Sequence, residues 1–119
     1  MHIEHDADTL ALLTAVQRIF HLWKLTDEEV SKIFPEAISN RWASEVSLKQ
    51  YDVKSRALTF LDLYENLAYL YASPQELRAE WFKKPNKAFA GKSPFQVVVG
   101  EPNKGLDDLK NYLEGAISK

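Results

Sequence analysis

Most side chains that could bind a metal ion as a local group lie at the start of this 119-residue chain. His2, His5, Asp6 and Asp8 are metal-ligand types, but one short terminal stretch rarely fixes a coordination geometry, so a solvated tail is the favoured interpretation. His21 has no nucleophile or acid at a defined local spacing, and a packing or surface histidine is favoured there. We therefore expect neither a metal site nor a cofactor.

Two groups of carboxylates are the remaining candidates for general acid and base chemistry. Asp62 and Glu65 lie one turn apart on a predicted long helix, where a solvated face is the simpler interpretation. The acidic run 27–29 opens a predicted helix and complements its dipole. The sequence has no Gly-rich phosphate loop, no Gly-x-Ser-x-Gly elbow and no His-Glu-x-x-His motif. A binding protein is therefore favoured over an enzyme.

The amino-acid composition narrows the class of protein further. There is no cysteine, which excludes disulfides and thiolate metal sites and gives no reason to place the protein outside the reducing cytosol. The first residues lack the pattern of a secretory signal, and no apolar run approaches the roughly 20 residues of a membrane span. A cytoplasmic protein is expected. A formal net charge of −2 argues against strong attraction of the whole surface to nucleic acid.

Helical periodicity dominates the chain and predicts an all-α, compact multi-helix bundle. Apolar residues at three- and four-residue steps predict a first helix over 8–23, the longest helix over 52–71 and a last one over 105–117. The run 97–99 is too short to indicate a strand. We place a boundary at residue 72, with an N-terminal lobe over 1–72 and a C-terminal lobe over 73–119.

Three local signals predict where the shorter helices begin. Thr26 and Glu29 form a capping box, and Pro35 stops the helix that it opens. Ser73 and Glu76 form a second predicted capping box, with proline at the first helical position. Ser93-Pro94 repeats the signal for a short helix that Gly100 ends.

The region 26–46 has the outline of a helix-turn-helix, because a second short helix is predicted directly after Pro35. DNA binding would need donors on that second helix, and Ser39, Asn40, Arg41 and Ser44 are suitable types. Lys32, Lys49, Lys54 and Arg56 could support them, whereas Glu36 and Glu45 oppose DNA binding.

The tract 81–96 combines aromatics, prolines and one glycine in a way that a generic bundle does not need. Trp81, Phe82, Phe89 and Phe95 are too many for a solvated linker, so we expect an ordered loop. The basic patch of this loop consists of four lysines with no acid between them: Lys83, Lys84, Lys87 and Lys92. It is either a solubilising rim or a contact surface for an acidic partner or DNA.

The order of these residues resembles the toxin-binding domain of the Xre/MbcA/ParS antitoxins. A tryptophan closes one helix, a Pro-Asn loop follows, Gly-x-x-Pro starts the next helix, and a final helix lies near the C-terminus. The matching residues are Trp81, Pro85, Asn86, Gly91, Pro94 and Gly105. The resemblance spans essentially the whole chain, with a degenerate Xre-like helix-turn-helix lobe before the toxin-binding lobe.

The resemblance implies a function that is not catalytic. Such antitoxins bind a cognate RES-domain toxin, an enzyme that consumes NAD, and obstruct its active site sterically. The implied toxin-contacting residues lie in the last segment: Lys104, Lys110, Tyr112, Glu114 and Lys119. Self-association is also implied, and the exposed part of the stripe Phe60, Tyr64 and Tyr71 would suit a homodimer, although filling the monomer core is the simpler explanation. The alternative is a stand-alone helix-turn-helix regulator that binds DNA and has no toxin partner.

Overall fold

The computed structural model describes residues 5–35 and 50–118, with side chains described over 11–35 and 53–118. These residues form six α-helices and no strand, which confirms the all-α prediction. The helices, joined between the fourth and fifth by a 3-10 turn (Lys87–Phe89), are α1 (His5–Leu22), α2 (Asp27–Ile33), α3 (Gln50–Leu70), α4 (Glu76–Lys83), α5 (Pro94–Gly100) and α6 (Pro102–Ser118). No helix within those described ranges is long and apolar enough to cross a membrane.

Helix α3 is the centre of the packing, because α1 and α6 both lie against it. Helix α5 packs on α6 and also contacts α4 and α2. One hydrophobic cluster joins both halves of the chain, from Leu13 and Val16 in α1 to Leu109 and Leu113 in α6. The predicted boundary at residue 72 falls in the turn between α3 and α4, and the division into two lobes stays a prediction.

Aromatic rings fill the middle of this cluster. Phe20 meets Phe60 edge-on at 4.9 Å between ring centroids, and Phe34 stacks on Phe60 at 5.7 Å. Trp23 packs on Phe82 at 4.7 Å and so connects the end of α1 to α4. Phe60 is fully buried and serves the core of the monomer, the simpler of its two sequence interpretations.

Two of the three predicted helix starts are confirmed. Thr26 and Ser93 each accept a hydrogen bond from the backbone N–H three residues on, and Glu29 and Gln96 return the bond to the cap. Pro94 occupies the first turn of α5. These boxes satisfy helix N–H groups that have no intrahelical partner, so the short helices α2 and α5 can form.

The capping box predicted at Ser73 and Glu76 is wrong. Helix α4 begins at Glu76 after Gln75, and no side chain caps it. The N–H of Leu77 instead bonds to the carbonyl of Pro74 at 3.1 Å, in a tight backbone turn that takes over the role of the cap. The guanidinium of Arg78 binds the carbonyls of residues 71 and 72 and thereby ties α4 to the end of α3.

The start predicted at Gly105 for the last helix is also too late, because α6 begins at Pro102. Proline suits a first helical position, since its fixed φ matches the helix and its missing N–H would have no partner there. The remaining boundaries lie within three residues of the expected ones: His5–Leu22 against 8–23 and Gln50–Leu70 against 52–71.

Candidate partner-binding site

The loop between α4 and α5 is closed by hydrogen bonds to Asn86. Its side-chain oxygen accepts from the N–H of Ala88 at 2.9 Å. Its carbonyl accepts from Phe89 and Gly91, both at 3.0 Å, and its N–H donates to the carbonyl of Lys92 at 3.1 Å. These four bonds to one residue hold the two ends of the loop together.

Two consecutive residues of this loop have left-handed backbone conformations. Ala90 has φ 57° and Gly91 has φ 84°. The glycine adopts this conformation at little cost, whereas a side chain at position 91 would strain the backbone. The chain reverses here and leads into the Ser93 cap of α5, where Ser93 and Pro94 are both buried.

Gly105 allows α6 to lie directly on α5. A Cβ at this position would sit 2.6 Å from the carbonyl oxygen of Val97 and 3.1 Å from the Cα of Val98. Both atoms belong to the backbone and cannot rotate away, so only glycine fits. The residue therefore sets the distance between the two helices that follow the loop.

A chain of aromatic rings runs from the core to the surface beside this joint. Trp81, which is nearly buried, contacts Phe89 at 6.5 Å between centroids, and Phe89 contacts Tyr112 at 5.2 Å. Tyr112 is 41% exposed and presents part of its ring to solvent. Pro85, in contrast, is exposed and ends α4 by holding Lys84 in an extended conformation.

An open groove of about 620 Å³ lies between the 3-10 turn, α5 and the first turns of α6. We call it the loop groove. Small residues line one side of the loop groove: Ala88, Ala90 and Gly100. A Cβ built on Gly100 would meet nothing within 4 Å. Side chains of mixed character line the rest, including Phe89, Lys92, Gln96, Glu101 and Asp108.

The four lysines of the loop have two different environments. Lys83 donates to the carbonyl of Lys24 at 3.0 Å and forms an ion pair with Glu29 at 2.9 Å, so it ties α4 to the start of α2. Lys84 lies 3.6 Å from Glu80. Lys87 and Lys92 are exposed and form no ion pair within the described part of the chain. These two cations are the part of the basic patch that is free to meet a partner.

Two ionisable groups near these ties have shifted pKa values. Burial by itself would raise the pKa of Glu29, but hydrogen bonds from Thr26 and Lys83 and the charge of Lys83 lower it below the ordinary value of 4.5. The hydrogen bond and charge of Asp108, 2.8 Å away, raise the pKa of Lys104. Lys104 is fully exposed, so this pair lies on the surface and is screened by solvent.

The predicted toxin-contacting residues do not share one face of α6. Tyr112 leans toward the loop, where it contacts Phe89, and Lys104 pairs with Asp108 at the edge of the loop groove. Lys110 leans to the other side and pairs with Asp62 of α3 at 3.3 Å. Glu114 is exposed, and Lys119 lies outside the described residues.

The candidate DNA-contacting residues lie outside the described part of the chain: Ser39, Asn40, Arg41 and Ser44. The side chains of the candidate metal ligands near the N-terminus lie outside it as well. Of the supporting basic residues, Lys32 is exposed at the end of α2, and the guanidinium of Arg56 lies 4.8 Å from the ring centroid of Phe34.

Sequence reasoning missed several residues that shape this site. Glu101 and Asp108 line the loop groove, yet no motif marks them. Ala90 is also missed, because alanine gives no sign of a left-handed conformation. The Glu29–Lys83 pair could not be found either, since its two halves lie far apart in the sequence.

Comparison with known proteins adds no relative to this picture. No family model, curated protein or solved structure matches the chain.

Proposed function

We propose that this protein is an antitoxin that binds a RES-domain toxin and blocks its NAD-consuming active site sterically. The observation that carries the proposal is the joint formed by the loop, α5 and α6. The residues of the resemblance meet there, and most have a specific structural role: Asn86 closes the loop, Gly91 reverses the chain, Pro94 starts α5 and Gly105 sets the spacing of α6. Such a joint holds an α6 surface in one orientation, as a binding protein requires.

The toxin-contacting surface in this proposal is the loop side of α6. Tyr112 offers a half-exposed aromatic ring held by Phe89, and such rigid rings are typical anchors of protein interfaces. Lys87 and Lys92 add cations that have no partner in the described part of the chain, and they suit acidic groups at the mouth of a toxin. Lys110 is expected to contribute less, because Asp62 already neutralises it.

The proposal is tested by co-expressing the chain with the product of the neighbouring reading frame. We expect a complex that survives purification and abolishes NAD loss by that partner. If a folded RES-type neighbour fails to bind, or if it binds and keeps consuming NAD, the proposal is wrong.

Single substitutions locate the surface. We expect Tyr112→Ala to weaken binding at least about tenfold, because the ring is the anchor at the exposed end of the aromatic chain. Lys110→Ala on the other side of α6 is the matched control, and we expect a change of less than about threefold. Calorimetric titration of the partner measures both values, and equal effects of the two substitutions would contradict the assignment to the loop side.

The stand-alone regulator makes the opposite prediction for the same preparations. It requires binding to the protein's own promoter without a partner, with an affinity that falls steeply as salt rises. Arg41→Ala would then reduce promoter binding, and no complex with the product of the neighbouring reading frame would form.

A further inference from the structure

The loop groove runs along the whole length of α5. Its lining residues on that helix and at its two ends recur at four-residue steps, which places them on one face of the helix: Lys92, Gln96, Val97, Gly100 and Glu101. The remaining lining residues belong to the loop and to the first turns of α6. The groove therefore has two distinct ends, one beside the loop and one where α6 begins.

Opposite charges stand at these two ends. Lys92 lies at the loop end and Glu101 at the other, and both are exposed. Neither forms an ion pair within the described part of the chain. Lys104 lies near enough to Glu101 for the two charges to interact, but its ion pair is with Asp108, at 2.8 Å. The end where α6 begins therefore stays net negative, and the loop end is positive.

The middle of the groove offers apolar surface and hydrogen-bond donors. Phe89 and Val97 are half-buried against the core and line the groove with apolar atoms. The side-chain oxygen of Gln96 accepts from the N–H of Ser93 at 2.9 Å, and its amide N–H groups have no partner among the described residues. These N–H groups suit a carbonyl oxygen of a ligand.

The length and the donors of the groove favour an extended chain as its occupant. The seven residues of α5 rise about 10 Å. An extended segment advances about 3.3 Å per residue, so three or four of its residues cover that distance. Its backbone carbonyls are also free to accept from Gln96, whereas those of a helix are already bonded within the helix.

We propose that the loop groove binds an extended segment of the protein partner, with an acidic residue at one end, an apolar residue in the middle and a basic residue three or four positions away. The acid meets Lys92, the apolar side chain lies on Phe89 and Val97, and the base meets Glu101. A segment of a single charge sign would leave one charge of the groove unmatched. The partner is the toxin of the proposed function, on which this assignment rests, and the segment is a feature that the toxin surface must present.

Exchanging the two charges tests the assignment in the complex with the product of the neighbouring reading frame. We expect Lys92→Glu and Glu101→Lys each to weaken binding about tenfold in calorimetric titration, because each places like charges together. The double variant keeps the net charge of the wild type but reverses the order of the charges, so it should bind no better than either single variant. Recovery of wild-type affinity by the double variant would show that only total charge matters, and the proposal would be wrong. Arg18→Glu and Glu65→Lys, on α1 and α3, are the matched controls and should change the affinity less than about threefold.

Filling the groove tests its apolar middle. A Cβ at position 100 meets nothing within 4 Å, so Gly100→Leu places its side chain in the groove without a clash in the fold. We expect binding about tenfold weaker and a urea unfolding midpoint close to that of the wild type. Gly100→Ala adds a single methyl group and is the matched control, with a smaller loss of affinity. Unchanged binding by the leucine variant would overturn the proposal.

Synthetic peptides separate this assignment from the proposed function. Seven-residue peptides with leucine at the centre carry glutamate and lysine four positions apart, or two glutamates, or two lysines, and each is titrated at millimolar concentration into the isotope-labelled full-length chain. We expect the mixed peptide to shift the amide signals of residues 88–101 and to bind at least about fivefold more tightly than the other two. Equal shifts with all three peptides, or none, would overturn the proposal. If the mixed peptide binds but the product of the neighbouring reading frame does not, the antitoxin proposal fails and the groove keeps its specificity. If that complex forms and the charge variants bind like the wild type, the assignment of the groove alone fails.

Discussion

The joint after α4 and the α1–α3 face, the open surface around Ala11, Ala15, Leu22 and Leu61, differ in what determines their shape. At the joint, the backbone itself is constrained: Asn86 closes the loop, Gly91 turns the chain and Gly105 admits a neighbouring carbonyl. At the α1–α3 face, side chains decide, and apolar surface remains uncovered. A surface with a fixed backbone suits recognition of one partner geometry, whereas apolar side chains on an open helix face can be exchanged without changing the backbone.

The two regions should therefore respond differently to substitution. Changes at the joint should cost folding stability, because its glycines and hydrogen bonds have no alternative arrangement. Changes on the exposed side of α1 and α3 should leave the free energy of unfolding nearly unchanged.

The largest effect is expected from Gly105→Ala. The added Cβ would sit 2.6 Å from a backbone oxygen of α5, so α6 must move away, and we expect a loss of about 3 kcal/mol in the free energy of unfolding. Gly115→Ala is the matched control on the same helix, where a Cβ meets nothing within 4 Å and should add about 0.5 kcal/mol. Urea unfolding measures both. If Gly105→Ala costs no more than an ordinary surface substitution, α6 can move away from α5 easily and the prediction is wrong.

The next largest effects on stability are expected at two positions with a left-handed backbone, Lys24 and Gly91. Lys24 lies two residues beyond the end of α1 with φ 63°, a left-handed conformation that glycine usually supplies after a helix. The N–H groups of Lys24 and Leu25 donate to the carbonyls of His21 and Phe20, as in a Schellman cap. We expect Lys24→Gly to stabilise the protein by about 0.5–1 kcal/mol, since the lysine Cβ is strained there. Gly91→Ala in the loop should do the reverse and cost about 1 kcal/mol. Thermal unfolding midpoints that move in the same direction for both substitutions would contradict this account.

The sequence predicts a structural feature correctly where all the interacting residues are close together in the chain. Thr26 and Ser93 are predicted correctly as caps because every partner lies within three residues. The same pattern fails at Ser73, where a backbone turn and the distant contact of Arg78 with the end of α3 determine how α4 begins. Lys83 is another such case, because its partner Glu29 comes from a helix that only folding brings near. Local chemistry predicts the elements, and the site depends on contacts between them.

The smallest effect is expected for the ion pair between Glu29 and Lys83, which joins the two halves of the chain. Because the pKa of Glu29 is lowered in the folded protein, its contribution to stability is fully present above 4.5 and is lost as pH falls below that value through the folded pKa. Glu29→Gln keeps an acceptor for the Thr26 N–H but removes the charge, so we expect a loss of about 0.5 kcal/mol at neutral pH that vanishes in acid. Urea unfolding at a series of pH values measures the difference. Repeating it in a Lys83→Met background is the control, since the pH dependence should then shrink to the part that the hydrogen bonds from Thr26 maintain. An equal loss at all pH values would mean that Glu29 acts only as a cap and that the ion pair contributes nothing to joining the halves.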